Sequence, residues 1–242
     1  MWQDNLRGIC SIALKDMKTY YLKAPAVSWG IVFPAAWVLA FYMRSPQNFE
    51  ELVPGLIAMT IIFSTTAAEA VVINFELRIG SLERLLLAPI SSSSVLLGKV
   101  LGGFIFGLMM TAVITLGSVL LLGIHVDILY LLLITIPSLL VFTSLGSLAC
   151  VMVKEVFEAQ TLLNLPRFLM IFLCGVVYPV SAMPQVLQYI AYVLPLTYTV
   201  DGIRQALGAT GNIAIGFDIL VLIAFIPVFL LPATRLLARR FT

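Results

Sequence analysis

Long uninterrupted apolar stretches constrain this chain more than any other feature of its sequence. A helix rises about 1.5 Å per residue, so about 20 apolar residues are needed to cross the roughly 30 Å hydrocarbon core of a bilayer. The stretches do not alternate apolar and polar residues as barrel strands do. The sequence therefore predicts an all-α, polytopic membrane protein in one domain, residues 1–242. Its six predicted transmembrane helices are Ala24 to Met43, Leu52 to Phe75, Val100 to Ile124, Ile128 to Val153, Ala159 to Tyr178 and Ile213 to Leu231.

The charged and histidine residues are too few for most soluble functions. Only 11% of the residues are charged, against about 25% in soluble domains, and the mean hydropathy is +1.08. The net charge of +2 and the single histidine, His125, argue against nucleic-acid binding, histidine-based metal sites and most histidine-based catalysis. We therefore expect no catalytic residue, no metal and no cofactor in this chain.

The distribution of lysine and arginine predicts the orientation in the membrane, because basic loop residues stay on the cytoplasmic side. Placing both termini inside leaves only Arg44 and Arg204 in outer segments, with Arg167 inside a span. The protein is then a multi-pass protein of the cell inner (plasma) membrane. Eleven basic residues are cytoplasmic in this arrangement: Arg7, Lys15, Lys18, Lys23, Arg78, Arg84, Lys99, Lys154, Arg235, Arg239 and Arg240.

Residues 1–23 have the pattern of a helix that lies in the cytoplasmic interface. The polar residues Arg7, Lys15 and Lys18 oppose an apolar stripe at helical spacing. A frayed polar tail is the alternative interpretation. The stripe consists of Leu6, Ile9, Ala13, Met17 and Tyr20.

Residues 76–99 form the largest predicted cytoplasmic loop. Leu82 to Leu87 read as a short amphipathic helix that follows a serine and ends before Pro89. A soluble partner could receive its leucines in a groove while Glu83 and Arg84 pair at the rim. A surface helix resting on the membrane fits equally well on physical grounds alone.

The outer segment, residues 179–212, follows a long stretch that one straight helix cannot accommodate. Phe168 to Val200 contains no charge but is interrupted by prolines, which stop or kink helices, and carries tyrosines, which favour the headgroup level. We expect two short re-entrant helices, about Gln185 to Val193 and Thr199 to Leu207, that enter the outer leaflet without crossing. An ordinary amphipathic outer loop is the alternative.

Two ionisable residues inside predicted spans, Glu69 and Arg167, are costly in lipid and are functional candidates. Both lie near the predicted cytoplasmic side, so an ion pair between them, or side chains that extend to water, is favoured over a role in substrate binding. Asp218 is expected to be an interface residue. Two glycine pairs, Gly98 with Gly102 and Gly103 with Gly107, predict close helix approach.

Several segments together resemble the type-2 membrane-permease family of ABC transporters, exporter subunits for drugs, polysaccharides or lipid-linked glycans. They are GSLERLLLAP after the second span, Gly98-Lys99, YPVSAMP and LPLTYTVDGIRQAL. The family commonly has a more charged run where Arg78-Ile79 precedes Gly80. The resemblance implies that Gly80, Ser81, Leu82, Glu83, Arg84, Leu85, Leu86 and Pro89 form a coupling helix that contacts an ATPase. It also implies an outer gate built from Tyr178, Pro179, Met183, Pro184, Pro195, Tyr198, Asp201 and Arg204.

The sequence lacks the phosphate-binding loop of an ATPase. The nearest approach, Ser93 to Lys99, has Ser93 where the first glycine belongs and is followed by Val100 instead of a magnesium-binding hydroxyl. The chain is thus not expected to be an enzyme. With the resemblance, this implies a separate cytoplasmic ABC ATPase subunit that binds ATP and magnesium. We also expect a second copy of the chain in a homodimer, with membrane lipid around it.

Two other functional classes remain as alternatives. A secondary transporter or channel working without an ATPase would need ionisable residues at the membrane midplane, often in repeated halves, and no repeat is evident. An intramembrane enzyme would need a nucleophile and a base together, whereas the acidic residues are dispersed. The favoured hypothesis is the permease of an ATP-driven exporter for an amphipathic or lipid-linked substrate.

Overall fold

The computed structural model describes residues 2–23, 27–44, 49–87, 90–153 and 155–240, which are helical with connecting turns and contain no β-strand. This confirms the all-α, polytopic class. Short helices that are not α-helical occur at Met17–Tyr21, Ser28–Val32 and Val180–Ala182. The α-helices are α1 (Trp2–Asp16), α2 (Phe33–Arg44), α3 (Phe49–Arg78), α4 (Ser81–Leu86), α5 (Ser92–Leu122), α6 (Ile128–Met152), α7 (Val156–Leu173), α8 (Gln185–Val193), α9 (Pro195–Ala206) and α10 (Ile215–Arg240).

Within the described residues, four helices are long and apolar enough to cross a membrane, and the chain is an integral membrane protein. They are the segments Glu51–Arg78, Ser92–Leu120, Ile128–Met152 and Ile215–Arg239. The predicted span Ala24 to Met43 falls on the shorter helical region that ends with α2, and its residues 24–26 lie outside the described ranges. The predicted span Ala159 to Tyr178 falls on α7, which starts three residues earlier and ends before Gly175. Six crossings therefore stay a prediction.

Helix α3 is the centre of the bundle and is buried along nearly all of its apolar length. It packs against α5, α6, α7 and α9, so that residues such as Ile57, Ile61 and Phe63 are almost inaccessible to solvent. Helix α10 packs mainly on α6 and leaves most of its surface exposed. Motion of α3 therefore has consequences for nearly every other long helix.

One end of the bundle holds α1, α4 and the last turns of α10, and we call it the α1 end. Ile12, Leu82, Val95 and Leu237 are buried in one apolar cluster there. The opposite, distal end holds α8, α9 and the beginnings of α6 and α10, where the backbone N–H of Asp127 donates to the carbonyl of Ala206. Helices α3, α6 and α10 run towards the α1 end, and α5 and α7 run away from it.

The buried face of α1 and of the short helix that follows it agrees with the predicted stripe only in part. Ile12, Ala13, Asp16 and Met17 are buried, whereas Leu6 is 45% exposed. The reason is a direct contact with α5, where glycines take the place of larger side chains. A Cβ atom at Gly98 would lie 2.9 Å from Cβ of Ile12, and one at Gly102 would lie 3.0 Å from the Tyr21 ring. Helix α1 is thus packed against the bundle along one side.

Helices occur at both predicted positions of the outer segment. Helix α8 has the predicted bounds, and α9 begins at Pro195 instead of Thr199. A proline fits the first turn of a helix, because the N–H that it lacks would have no partner inside the helix. Neither helix is long enough to cross a bilayer.

Candidate functional site

Helix α4 is a short arm between the two long helices α3 and α5. Gly80 takes a left-handed backbone conformation, φ 69°, which turns the chain sharply before the helix begins. Leu82 is buried in the apolar cluster of the α1 end, and Leu85 packs against that cluster. Glu83 and Arg84 are exposed. The leucine side of α4 therefore anchors the arm to its own bundle, and the charged side is left free.

The remaining predicted coupling residues extend this arm. Ser81 begins the helix, and Leu87 after it is 86% exposed. The side chain of Leu86 and all of Pro89 lie outside the described part of the chain. Leu87 is thus exposed whereas Leu82 is buried, a difference that the sequence did not indicate.

Four charged residues meet at the base of this arm, and we call them the charge cluster: Lys15, Asp16, Glu76 and Lys99. Nζ of Lys99 donates to Oδ2 of Asp16 at 2.8 Å and also to Glu76. Nζ of Lys15 donates to Glu76 and lies 3.1 Å from Oδ1 of Asp16. Asp16, Glu76 and Lys99 are almost completely buried, and Lys15 is partly exposed. The cluster joins α1 to the helices that enter and leave α4.

Charge balance explains why this cluster can be buried. Two lysines face two carboxylates, so no charge is left uncompensated, whereas an unpaired buried ion would be very costly. Burial lowers the pKa of Lys15, but the hydrogen bond to Glu76 and the charge of Asp16 raise it more, so that its pKa lies above the ordinary value. Lys15 therefore remains protonated at neutral pH.

Glu69 lies deeper in α3 and is held by neutral donors. The hydroxyls of Tyr21 and Ser147 donate to its two carboxylate oxygens at 3.3 and 3.1 Å. Burial raises the pKa of Tyr21 well above its ordinary value, with Glu69 adding to the effect, so the tyrosine keeps the proton that it donates. A Cβ atom at Gly103 would lie only 2.2 Å from Oε1 of Glu69. Glu69 thus fits into a space that α5 leaves open.

Arg167 does not pair with Glu69. Its Nε donates to Oγ1 of Thr66 at 2.7 Å, and its Nη1 donates to the side-chain oxygens of Gln160 and Asn164, both at 3.1 Å. The guanidinium also lies 5.4 Å from the centre of the Phe63 ring. Arg167 is 2% exposed, so it does not reach water either. Instead of the expected ion pair, Arg167 binds the neutral side chains of Thr66 on α3 and of Gln160 and Asn164 on α7. We call this contact between α7 and α3 the neutral seam.

Three predicted gate residues on α9 each bind a different neighbour at the distal end. The Tyr198 hydroxyl donates to the carbonyl of Tyr192 at 2.6 Å, which ties α9 to α8. Arg204 donates to the carbonyl of Gly175 at 3.4 Å, just beyond α7. Asp201 accepts the backbone N–H groups of residues 212 and 213 at 2.9 and 3.1 Å. These side chains fix α9 between α7, α8 and α10.

Gln205 and Asp218 complete this arrangement and were not predicted as part of it. Nε2 of Gln205 lies within hydrogen-bond distance of three acceptors that share its two hydrogens: Asp201 at 3.0 Å, the carbonyl of Ile213 at 2.8 Å and Asp218 at 3.3 Å. Asp218 is fully buried in the first turn of α10, and its expected position at the level of the membrane interface stays a prediction. Gln205 stands four residues after Asp201, and this helical spacing was the available signal.

The other predicted gate residues lie around this group. Tyr178 and Pro179 are exposed, Met183 is buried, and Pro184 and Pro195 stand at the starts of α8 and α9. Pro179 and Arg204 line a distal cavity of about 530 Å³ with Glu51, Pro54, Ile124, Ser181, Leu207, Gly208, Ala209, Thr210 and Asn212.

Comparison with known proteins places these features in a family. A family model described as ABC-2 type transporter matches residues 8–207. "Probable multidrug ABC transporter permease YbhS" of Escherichia coli K12 is 30% identical over 174 residues, which are 70% of this chain and 45% of that protein. "Inner membrane transport permease YadH" of the same strain is 26% identical over 203 residues, 81% of this chain and 77% of that protein. "Nodulation protein J" of Sinorhizobium fredii is 37% identical over 83 residues, 34% of this chain and 30% of that protein.

The matched region contains nearly all of the structural features described above. It includes the charge cluster, α4, and the helices α8 and α9. The chain spans less than half the length of the first of these relatives. The long apolar helices, the arm between two of them and the match over most of the chain lead to one conclusion: the chain belongs to the ABC-2 type transporter family.

Proposed function

We propose that this chain is the transmembrane subunit of an ATP-driven exporter. A separate cytoplasmic ABC ATPase hydrolyses ATP, and the chain uses the resulting movement to carry an amphipathic or lipid-linked substrate outward. Membership of the ABC-2 type transporter family supports this proposal. The relative named as a multidrug permease supports a drug-like substrate. Polysaccharide or glycolipid substrates fit the same proposal.

The observation that carries the proposal is the position of α4. It is joined directly to α3 and α5, and Leu82 anchors it in the apolar cluster of the α1 end. Glu83, Arg84 and Leu87 remain exposed for a partner. A force on this surface passes into two long helices, because the bond between Glu76 and Lys99 braces them at the base of the arm.

The proposed mechanism connects the two ends of the bundle. Closure of the ATPase pair pushes α4, and α3 and α5 move as rigid bodies. Since α3 packs against α7 and α9, its movement changes the distal group in which α9 is held. Asp201 and Arg204 then act as ties of the outer gate, which open or re-form as α9 shifts.

The proposed arrangement has six crossings, the α1 end in the cytoplasm and the protein in the inner membrane. Two copies pack around one axis to complete the translocation path, surrounded by lipid. The basic residues predict this orientation, because cytoplasmic loops retain lysine and arginine. Both α1 and the last turns of α10 lie at the same end of the bundle, which is consistent with two cytoplasmic termini.

Co-purification tests the proposal. The tagged chain, isolated in mild detergent from membranes that contain its cognate ATPase, should carry that subunit with it and hydrolyse ATP. The double variant Glu83→Ala with Arg84→Ala should lose the ATPase but insert normally. Arg239→Ala removes an exposed charge from the same end and serves as the matched control. Transport by the chain alone would instead support a secondary transporter or channel.

A further inference from the structure

Two aspartates, Asp201 on α9 and Asp218 in the first turn of α10, lie close together at the distal end, and we call them the aspartate pair. Their side chains are buried, with 4% and 0% exposure of the two residues. Nε2 of Gln205 lies 3.0 Å from Oδ2 of Asp201 and 3.3 Å from Oδ2 of Asp218. Two carboxyl groups this close to one nitrogen atom repel each other strongly if both are ionised, because little water screens them.

The two carboxyl groups are not equally supplied with hydrogen-bond donors. The two hydrogens on Nε2 of Gln205 are shared by the aspartate pair and the carbonyl of Ile213. Asp201 also accepts the backbone N–H groups of residues 212 and 213. Asp218 has no such second donor among the described residues, and its Oδ1 is buried without a hydrogen-bond partner. The protein therefore stabilises a negative charge on Asp201 much better than one on Asp218.

Helix α9 supplies no cation to the aspartate pair. Arg204 stands three residues after Asp201, but its guanidinium donates to the carbonyl of Gly175. The titratable groups that interact electrostatically with Asp218 are Asp201 and the phenol of Tyr198, and neither can carry a positive charge. None of the ion pairs formed by the described residues includes either aspartate.

The other helices that pack against α10 do not compensate Asp218 either. At the distal ends of α5 and α6 the titratable residues are exposed, and Asp127 accepts the backbone N–H of Leu129 in its own helix. These residues are His125, Asp127 and Tyr130. The first turn of α10 favours a negative charge, but this contribution is small beside the cost of burying an unpaired carboxylate. A buried carboxyl group of this kind is more stable with its proton, and a neighbouring carboxylate strengthens that preference.

We propose that the aspartate pair holds one proton, carried by Asp218, and that this proton keeps α9 and α10 together. With the proton bound, ionised Asp201 holds the backbone before α10 without repulsion from Asp218. Release of the proton to water, through the exposed segment 208–212, leaves two negative charges beside Gln205 and loosens the contact. The effect on the outer gate rests on the proposed function, whereas the bound proton does not.

Thermal unfolding of the full chain in detergent, measured from about pH 5 to pH 9, tests the proton. An ordinary aspartate is ionised throughout this range. If the folded chain retains a proton that the unfolded chain has lost, stability falls as pH rises. Asp218→Asn imitates the neutral acid, so its unfolding temperature should exceed that of the wild type by a margin that grows with pH, by about 2 °C or more over the range.

Two control variants separate the proton from a general structural effect. Asp201→Asn removes the charge that holds two backbone N–H groups, so it should lower the unfolding temperature. Asp127→Asn changes an exposed aspartate at the same end, and its difference from the wild type should not vary with pH. A difference between the wild type and Asp218→Asn that is constant with pH would overturn the proposal.

Infrared spectra show the proton independently of stability, because a protonated carboxyl group has a carbonyl band that a carboxylate lacks. The difference spectrum of the wild type minus Asp218→Asn should contain this band at neutral pH, and the band should weaken at alkaline pH. A difference spectrum without the band would overturn the proposal. So would a rise in the unfolding temperature on addition of calcium that Asp218→Asn does not share, since a metal ion would then neutralise the aspartate pair.

Discussion

Nζ of Lys99 lies 2.8 Å from Oδ2 of Asp16, although 83 positions separate the two residues in the chain. Asp16 ends α1, and Lys99 stands in the first part of α5, soon after the arm formed by α4. Because Lys99 also binds Glu76 near the end of α3, one ammonium group connects three helices at the base of the arm. The rigidity that the proposed mechanism requires of this region therefore depends on few side chains.

Removal of the Lys99 ammonium should destabilise the protein strongly. Lys99→Met leaves Asp16 and Glu76 buried with only the partly exposed Lys15 as a counter-charge, and breaking a buried pair in this way costs about 3 to 5 kcal/mol. We expect a lower thermal unfolding temperature in detergent. Lys18→Met removes an exposed lysine from the same interfacial region and should leave that temperature nearly unchanged. A stable Lys99→Met protein would contradict the assigned role.

The two sides of the arm should respond to mutation in opposite ways. Leu82→Ala removes a buried side chain and should cost about 2 to 5 kcal/mol of folding stability. Leu87→Ala acts on a residue that is 86% exposed, so the unfolding temperature should not change while ATPase binding weakens. Thermal unfolding and ATPase co-purification, measured on both variants, distinguish the anchor from the proposed contact surface. If both variants still bound the ATPase normally, this result would count against α4 as the docking element.

Close packing between α5 and α3 should make one glycine of α5 irreplaceable. A Cβ atom at Gly103 would lie 2.2 Å from Oε1 of Glu69 and 2.7 Å from Cγ2 of Thr143, so Gly103→Ala forces α5 away from its neighbours. Gly117 is in the same helix, and beyond the neighbouring backbone of that helix no atom of the described residues lies within 4 Å of a Cβ placed there. Gly103→Ala should reduce the fraction of monodisperse protein in size-exclusion chromatography, whereas Gly117→Ala should not.

The long apolar helices could be predicted from the sequence, whereas the charge cluster could be recognised only in the structure. Hydropathy over 20 residues identifies α3, α5, α6 and α10, because length and apolar content are properties of a single segment. The charge cluster joins residues from three segments, which no local pattern specifies. A signal was present, since Asp16 lies beside Ala13 and Met17 on the stripe that becomes buried. A carboxylate on an apolar stripe requires a buried partner.

The contact of Arg167 with Thr66 between α7 and α3 predicts that the acidic and basic residues of the spans act independently. Arg167 binds Thr66, whereas Glu69 binds Tyr21 and Ser147, so the two share none of these partners. The losses of unfolding free energy in Arg167→Met and Glu69→Gln should therefore add to within about 0.5 kcal/mol in the double variant.

Arg167→Met combined with Thr66→Val should behave differently, because each single change removes the same hydrogen bond. The double variant should then lose less than the sum of the single losses, by about 0.5 kcal/mol or more. Chemical unfolding in mixed micelles gives the unfolding free energies for both double-mutant cycles, Arg167 with Glu69 and Arg167 with Thr66. The coupling energy between Arg167 and Glu69 should be smaller than that between Arg167 and Thr66. The opposite result would show that Arg167 and Glu69 form an ion pair in the membrane and that the neutral seam does not describe the environment of Arg167.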